Sequence, residues 1–194
     1  MKGRLIYLIG PSGSGKDSLL DTARTMLAGQ GCRVARRVIT RSAEARGESA
    51  EAVSSEEFAQ REARGDFAMS WYANGLSYGI PNSIDDWLAA GDDVLVNGSR
   101  GYLPEARRRY PHLLAVLLTV DDQVLRQRLH ARGRESAEEI EARLARNAGF
   151  ADTLLAGENP DLCLLDNSGS LAETCQRLLQ LIEEHRPAAW PDSA

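Results

Sequence analysis

The 194-residue chain has only three cysteines, Cys32, Cys163 and Cys175, and they are far apart. Their spacing matches neither a zinc site nor a disulfide framework, which suits a reducing compartment, so the expected location is cytoplasmic. Histidine is equally sparse: His112, His130 and His185 stand alone and read as surface or structural residues rather than ligands. An excess of basic charge is missing too. With 23 Lys and Arg against 28 Asp and Glu, the net charge is −5. That balance argues against a general nucleic-acid-binding surface. No apolar run is long enough to cross a bilayer. The run after Lys2 and Arg4 is stopped by Gly10, too early for a secretory signal. Internal repeats and long low-complexity segments are absent as well. The expected partners are therefore small molecules, with no nucleic acid and no membrane; the oligomeric state stays open.

What the chain does contain is alternation of strand-like and helix-like segments, in enough length for one domain with a real core. Strands are expected at Arg4–Ile9, Arg33–Thr40, Asp93–Asn97, Leu113–Val120 and Asp161–Asn167. Helices are expected at Asp17–Ala28, from Ser54 onward, and at Ser83–Ala90, Asp122–Arg132, Ser136–Leu155 and Leu171–His185. Residues 41–54 read as a loop, and Phe67–Gly79, rich in aromatics and glycine, as short strands with turns. The predicted class is α/β, a mainly parallel five-stranded sheet with helices on both faces. In such sheets ligands bind at the carboxyl ends of the strands, where the segment after Ile9, Thr40 with Arg41, Asn97 and Asn167 could all face one cleft.

After the first strand comes Gly10-Pro11-Ser12-Gly13-Ser14-Gly15-Lys16, then Asp17 and Ser18. This is G-x-x-x-x-G-K, the phosphate-binding loop, with Asp17 where Ser or Thr is usual. Strand, glycine-rich turn and helix supply what triphosphate binding needs. Backbone N–H groups point inward at phosphate oxygens, and Lys16 adds a mobile charge. Asp17 has two readings. Its carboxylate is a hard oxygen ligand for Mg²⁺, or it is an acidic residue favoured in a helix's first turn. Ser18 is turned about 100° away along the helix and is a poor substitute.

Arg36, Arg37, Arg41 and Arg46 sit close together in the sequence, as a phosphate-binding set or as a solvated basic face. Trp71 reads as packing, and Tyr78 as presenting its hydroxyl. Over roughly residues 4–180 the chain resembles the guanylate kinase family. The resemblance rests on the phosphate loop, Thr40-Arg41, Gly47-Glu48, Phe67…Trp71…Asn74-Gly75…Tyr78-Gly79, and Leu129…Arg132-Gly133…Arg143-Leu144. It departs at three points. The Pro between Thr40 and Gly47 is missing and that interval is one residue longer. The Asp-Tyr that helps form a GMP site is absent. Ser70 replaces the Glu that pairs with guanine, and a neutral hydroxyl leaves those base N–H groups unpaired.

The departures form a pattern of their own. Gly15-Lys16-Asp17-Ser18, Ser70-Trp71-Tyr72-Ala73-Asn74-Gly75-Leu76-Ser77-Tyr78-Gly79, Asp93-Val94-Leu95-Val96-Asn97-Gly98-Ser99-Arg100 and Arg132-Gly133-Arg134-Glu135 resemble a branch of that family, the ribose 1,5-bisphosphate phosphokinases. The resemblance implies transfer of the ATP γ-phosphoryl group to a base-free sugar bisphosphate during phosphonate breakdown, with ATP and Mg²⁺. It implies one domain over residues 1–186, with a core at 1–34 and 91–186, an acceptor-binding lobe near 35–90 and a lid near 130–146; 187–194 is a tail, with Trp190. The implied ATP site is Gly10 to Ser18 with Asn167 beside the adenine. The implied acceptor site is Arg37, Arg41, Ser70, Tyr78, Asn97 and Arg100. Lys16 and the lid arginines Arg132 and Arg143 carry the implied catalysis, while Arg134 and Arg146 are as readily solubilising charges. A nucleoside monophosphate kinase and a non-catalytic guanylate-kinase-like module are the alternatives. The module is disfavoured by the intact Lys16.

Overall fold

The computed structural model describes residues 3–40, 50–133, 135–147 and 162–186. Arg41, Arg46, Gly47, Glu48, Arg134 and Trp190 therefore lie outside the described residues. Five strands form one all-parallel sheet: β1 (Leu5–Ile9), β2 (Cys32–Val34), β7 (Asp93–Asn97), β8 (Leu114–Thr119) and β9 (Leu162–Asp166). Their spatial order is β2-β7-β1-β8-β9, so β1 lies at the centre. Every residue of β1 is buried, as expected of a strand covered on both faces.

The two-residue period of the strand divides the core. Leu5, Tyr7 and Ile9 face one side, with Val94, Val96, Ala115 and Leu117. Helices α3 (Ser83–Ala90) and α4 (Leu103–Arg109) cover that side through Ile84, Leu88, Leu103 and Ala106. Ile6 and Leu8 face the other, under α1 (Lys16–Ala28) and α7 (Leu171–Glu184). Leu19, Ala23 and Leu27 of α1 meet Leu178 and Ile182 of α7 there. Ser170 and Glu173 close a capping box at the start of α7. Buried Arg4 sits at its far end, donating to the carbonyls of Ile182 (2.7 Å) and His185. A cation there complements the helix dipole.

A second sheet of four strands has the order β4-β3-β6-β5. Its members are β3 (Val38–Thr40), β4 (Glu51–Val53), β5 (Phe67–Ala73) and β6 (Leu76–Pro81). Asn74 (φ 52°) and Gly75 (φ 78°) turn β5 into β6, both in the left-handed region that such a two-residue hairpin turn demands. Helix α2 (Ser55–Ala63), capped by the Ser54 side chain, packs Phe58 against Phe67 of this sheet.

Two expectations change, and a third is described only in part. The single strand expected at Arg33–Thr40 is two strands in different sheets: Cys32–Val34 pairs with β7, and Val38–Thr40 with β4 and β6. Ala35 to Arg37 carry the chain between them. A run of alternating residues cannot reveal that its partner changes halfway. Within the expected loop 41–54, Glu51–Val53 is a strand parallel to β3. The helix expected at Ser136–Leu155 is described from Ala137 to Asn147 (α6), and 148–155 lie outside the described residues. Ile140 and Leu144 of α6 pack on Leu125 and Leu129 of α5 (Asp122–Arg132). Among the described residues, no helix is long and apolar enough to cross a membrane.

Candidate active site

The glycine-rich loop leaves the carboxyl end of the central strand β1 and enters α1 at Lys16. Gly15 caps that helix with φ 94°, a conformation that side-chain-bearing residues avoid. The first turn of such a helix directs backbone N–H groups toward the loop, and groups of that kind favour phosphate oxygens. Lys16 folds back across the loop, its Nζ 2.7 Å from the Gly10 carbonyl oxygen and 3.0 Å from that of Pro11.

Asn167 supports the loop from below. Following β9, it is 2% exposed, and its Nδ2 donates to the Ser14 carbonyl oxygen at 2.7 Å. Its Oδ1 accepts from the Thr174 hydroxyl at 2.9 Å. A Cβ at Gly15 would stand 2.7 Å from the same Nδ2, so glycine is required there for close approach as well as for φ. The residue placed by resemblance beside the adenine thus has its amide nitrogen on the Ser14 carbonyl and its amide oxygen on Thr174.

Asp17 meets the neighbouring strand. Asn97 ends β7, opposite Leu8 of β1, and its Nδ2 donates to Asp17 Oδ1 at 2.7 Å. Arg37, in the passage between the two sheets, has Nη2 3.9 Å from the same Asp17 oxygen. Its Nη1 donates to the Asn97 backbone carbonyl at 3.4 Å. The guanidinium lies 5.2 Å from the Tyr78 ring centre, a cation–π distance. Tyr78 stacks on Trp71 at 5.6 Å, and Trp71 meets Tyr102 at 5.5 Å. Arg37, Tyr78, Asn97 and Asp17 therefore form one cluster where the small sheet meets the large one. Beneath it, Tyr7 Oη donates to the Ser99 carbonyl and accepts from the Ser99 N–H, which fixes the chain after β7. Burial pushes the Tyr7 hydroxyl well above the usual tyrosine range, so it stays protonated.

Residues of α6 approach from the opposite side. Arg143 of α6 donates to Ser12 Oγ at 2.6 Å, and Asn147 Nδ2 donates to the Ser12 carbonyl at 3.2 Å. Arg143 is held by Glu135, whose Oε1 accepts from its Nε at 3.0 Å and from its Nη2. The helix thereby places a guanidinium beside the phosphate loop.

The remaining expected residues are more dispersed. Ser18 is exposed. Arg132 is exposed at the end of α5, and Arg100 is exposed at the start of a short 3-10 turn, Arg100–Tyr102. Ser70 gives its hydroxyl to the Glu62 carboxylate of α2 at 2.6 Å. Reasoning from sequence missed Tyr7, Glu62, Thr174 and Asn147. It quoted Glu135 without a role; Glu135 and Arg143 are eight apart across a helix start, a spacing with no helical signature.

Among the described residues, no group of three or more His, Cys, Asp or Glu could hold a metal alone. Mg²⁺ in phosphoryl-transfer sites does not require one, since it is bound by one or two carboxylates plus substrate phosphates. The Asp17 carboxylate beside the loop and the buried, unpartnered Asn97 Oδ1 are hard oxygens that fit such an ion.

A parallel sheet with a glycine-rich loop on its central strand defines a P-loop NTPase fold. The structure is similar to a guanylate kinase from Anaplasma phagocytophilum, with a TM-score of 0.68 over 96% of this chain and 88% of that one, at 18% identity. No family model matches the sequence. Whole-length relatives narrow the class. The chain is 67% identical over 188 residues to ribose 1,5-bisphosphate phosphokinase PhnN from Pseudomonas fluorescens (strain SBW25), covering 97% of this chain and 99% of that one. It is 66% identical to the protein of that name from Pseudomonas paraeruginosa (strain DSM 24068 / PA7), covering 97% and 100%. For that from Azotobacter vinelandii (strain DJ / ATCC BAA-1303) the identity is 63%, covering 95% and 98%. The chain belongs to the ribose 1,5-bisphosphate phosphokinase family and is a kinase.

Proposed function

We propose that this chain transfers the γ-phosphoryl group of ATP to the 1-phosphate of ribose 1,5-bisphosphate. The products are 5-phospho-α-D-ribose 1-diphosphate and ADP. The proposed setting is the cytoplasm, in phosphonate breakdown. One observation carries the reading: the chain is 67% identical, over nearly its full length, to a protein of that name. The intact phosphate loop and the Arg37–Tyr78–Asn97–Asp17 cluster at its edge support it.

In this reading the loop N–H groups and Lys16 hold the β- and γ-phosphates. Lys16 exchanges the Gly10 and Pro11 carbonyls for phosphate oxygens. Bound Mg²⁺, held through Asp17, supplies charge neutralisation between the phosphates. Residues near 35–90 form the acceptor lobe, with Arg37, Arg41, Ser70, Tyr78, Asn97 and Arg100 as the acceptor set. The acceptor phosphate is already an anion, so no strong general base is needed. An oxygen of the 1-phosphate attacks the γ-phosphorus, the bond from that phosphorus to the β–γ bridging oxygen breaks, and ADP leaves with the electron pair. The obstacle is repulsion between anions, and cationic groups lower it. Arg143, with Arg132 brought in as the lid near 130–146 closes, neutralises the transferring group.

The test is direct. Purified protein incubated with ATP, Mg²⁺ and ribose 1,5-bisphosphate should give a new diphosphate, seen by ³¹P NMR in step with ADP. Formation of ADP without that diphosphate would overturn the proposal.

A further inference from the structure

Helix α6 is seated on the phosphate loop through several contacts. Gly13 of the loop lies against α5: a Cβ there would stand 3.2 Å from both Leu125 Cδ1 and Leu129 Cδ2. Ile140 and Leu144 of α6 pack on the same two leucines. Asn147 and Arg143 of α6 both end on Ser12, at its carbonyl oxygen (3.2 Å) and its hydroxyl (2.6 Å). Arg143 is long and rotatable, so a seated helix alone does not fix its guanidinium. The Glu135 carboxylate supplies the rest. Its Oε1 accepts from Arg143 Nε at 3.0 Å and from Nη2, which occupies one edge of the planar fork and directs Nη1 at the loop. Two comparisons set this pair apart from ordinary surface charge. The Arg143 and Glu135 side chains are 24% and 22% exposed, against 41% and 57% for Arg126 and Glu141, which join α5 to α6. Solvent and salt weaken the more exposed pair. Nor is Glu135 needed to start α6. The Ser136 hydroxyl accepts from the Glu139 N–H at 3.2 Å, and Glu139 Oε2 accepts from the Ser136 N–H at 2.7 Å.

We propose that Glu135 is a positioning residue for phosphoryl transfer. It holds the Arg143 guanidinium at the Ser12 edge of the loop before the transferring group develops its charge. Donors fixed in advance need no reorganisation at the moment of reaction, and that is where most of their effect arises. Without Glu135 the Arg143 side chain rotates among its rotamers, and a displacement of about 1 Å is enough to lower a rate. The carboxylate itself touches no substrate; it acts through Arg143. The inference rests on the kinase reading above and adds Glu135 to it.

A double-mutant cycle tests it. Glu135→Ala, Arg143→Ala and the double variant are compared with the unaltered chain in steady-state transfer from ATP to ribose 1,5-bisphosphate, with folding checked by circular dichroism. Glu135→Ala should lower kcat by about tenfold and leave KM for ATP within about twofold, since the lost alignment matters in the transition state. In the Arg143→Ala background the same change should alter kcat by less than about twofold, because the group it positions has gone. Glu135→Gln keeps an acceptor oxygen and should recover kcat to within about threefold of the unaltered chain. An unchanged kcat in Glu135→Ala, an equal loss in both backgrounds, or a Glu135→Gln no better than Glu135→Ala each overturns the inference. Should Glu135→Ala not fold, the unaltered chain labelled with ¹⁵N at arginine decides. A slowly exchanging Arg143 Nε–H in the complex with the non-hydrolysable analogue AMP-PNP is expected, and rapid exchange there overturns the inference. If the unaltered chain transfers no phosphoryl group to ribose 1,5-bisphosphate, the kinase reading fails and this inference with it. If it does and the cycle shows no coupling, only this inference falls.

Discussion

Replacing Asn167 separates reading the base from holding the loop. Its amide gives the buried Ser14 carbonyl a donor at 2.7 Å. Asn167→Ala removes that donor and orphans the oxygen, at a cost of about 1–3 kcal/mol. The other half of the amide is less costly to lose. Thr174 Oγ also lies 3.2 Å from the Ser170 carbonyl and 3.4 Å from that of Asp166, so its hydroxyl keeps an acceptor. The penalty is thus that of one orphan rather than two. If the loop relaxes to recover it, phosphate affinity falls by a factor of about 5 to 150. Asn167→Asp is a sharper probe, because it keeps the shape but sets a carboxylate against a carbonyl oxygen. Affinities for ATP, GTP and tripolyphosphate should be measured by calorimetry. All three should weaken together, with the ratio of ATP to GTP unchanged. Unchanged tripolyphosphate binding with a lost preference between ATP and GTP would refute this reasoning and return Asn167 to the base.

Arg143→Ala should lower kcat by about a hundredfold and leave ADP affinity within a few-fold, since this guanidinium acts on charge that develops during transfer; an equal loss in ADP binding would contradict that. Gly98→Ala should destabilise the fold by about 1–3 kcal/mol, seen as a lower Tm, because the new Cβ would sit 2.2 Å from Tyr7 Cζ. The Tyr7 and Tyr110 hydroxyls are both raised, chiefly by burial. A raised folded value gives stability that is whole below the unfolded tyrosine range near pH 10 and is lost as pH rises from there through the raised folded value. Urea midpoints should therefore fall above about pH 10, and Tyr7→Phe should make that fall less steep. Cys32, pushed up to about 12 chiefly by burial, should react with a thiol reagent at neutral pH only on unfolding.

Four strands of the large sheet, all but β2, were legible because each is a short apolar run, and the helices repeat apolar residues at helical spacing. The phosphate loop was legible because backbone chemistry restricts its glycines. The passage from one sheet to the other at Ala35–Arg37 was not, since pairing partners are a property of space and not of local pattern. The contacts of Asn97 with Asp17, of Asn167 with Ser14 and of Arg143 with Ser12 span 80, 153 and 131 positions. No spacing rule reaches that far. The strand-end positions of Asn97 and Asn167 marked them as candidates, but what each side chain touches emerged only from the packed structure. Ser70 was read as a lost base-pairing carboxylate, and nothing local signalled that Glu62 would take its hydroxyl.

The most direct test of the account is a comparison of kcat/KM for ribose 1,5-bisphosphate and for GMP, with ATP and Mg²⁺ at saturation. A site without the guanine-pairing Glu should favour the sugar bisphosphate by at least about a hundredfold, on the scale by which unpaired polar groups reject a ligand. Turnover of GMP equal to or faster than that of ribose 1,5-bisphosphate would contradict it.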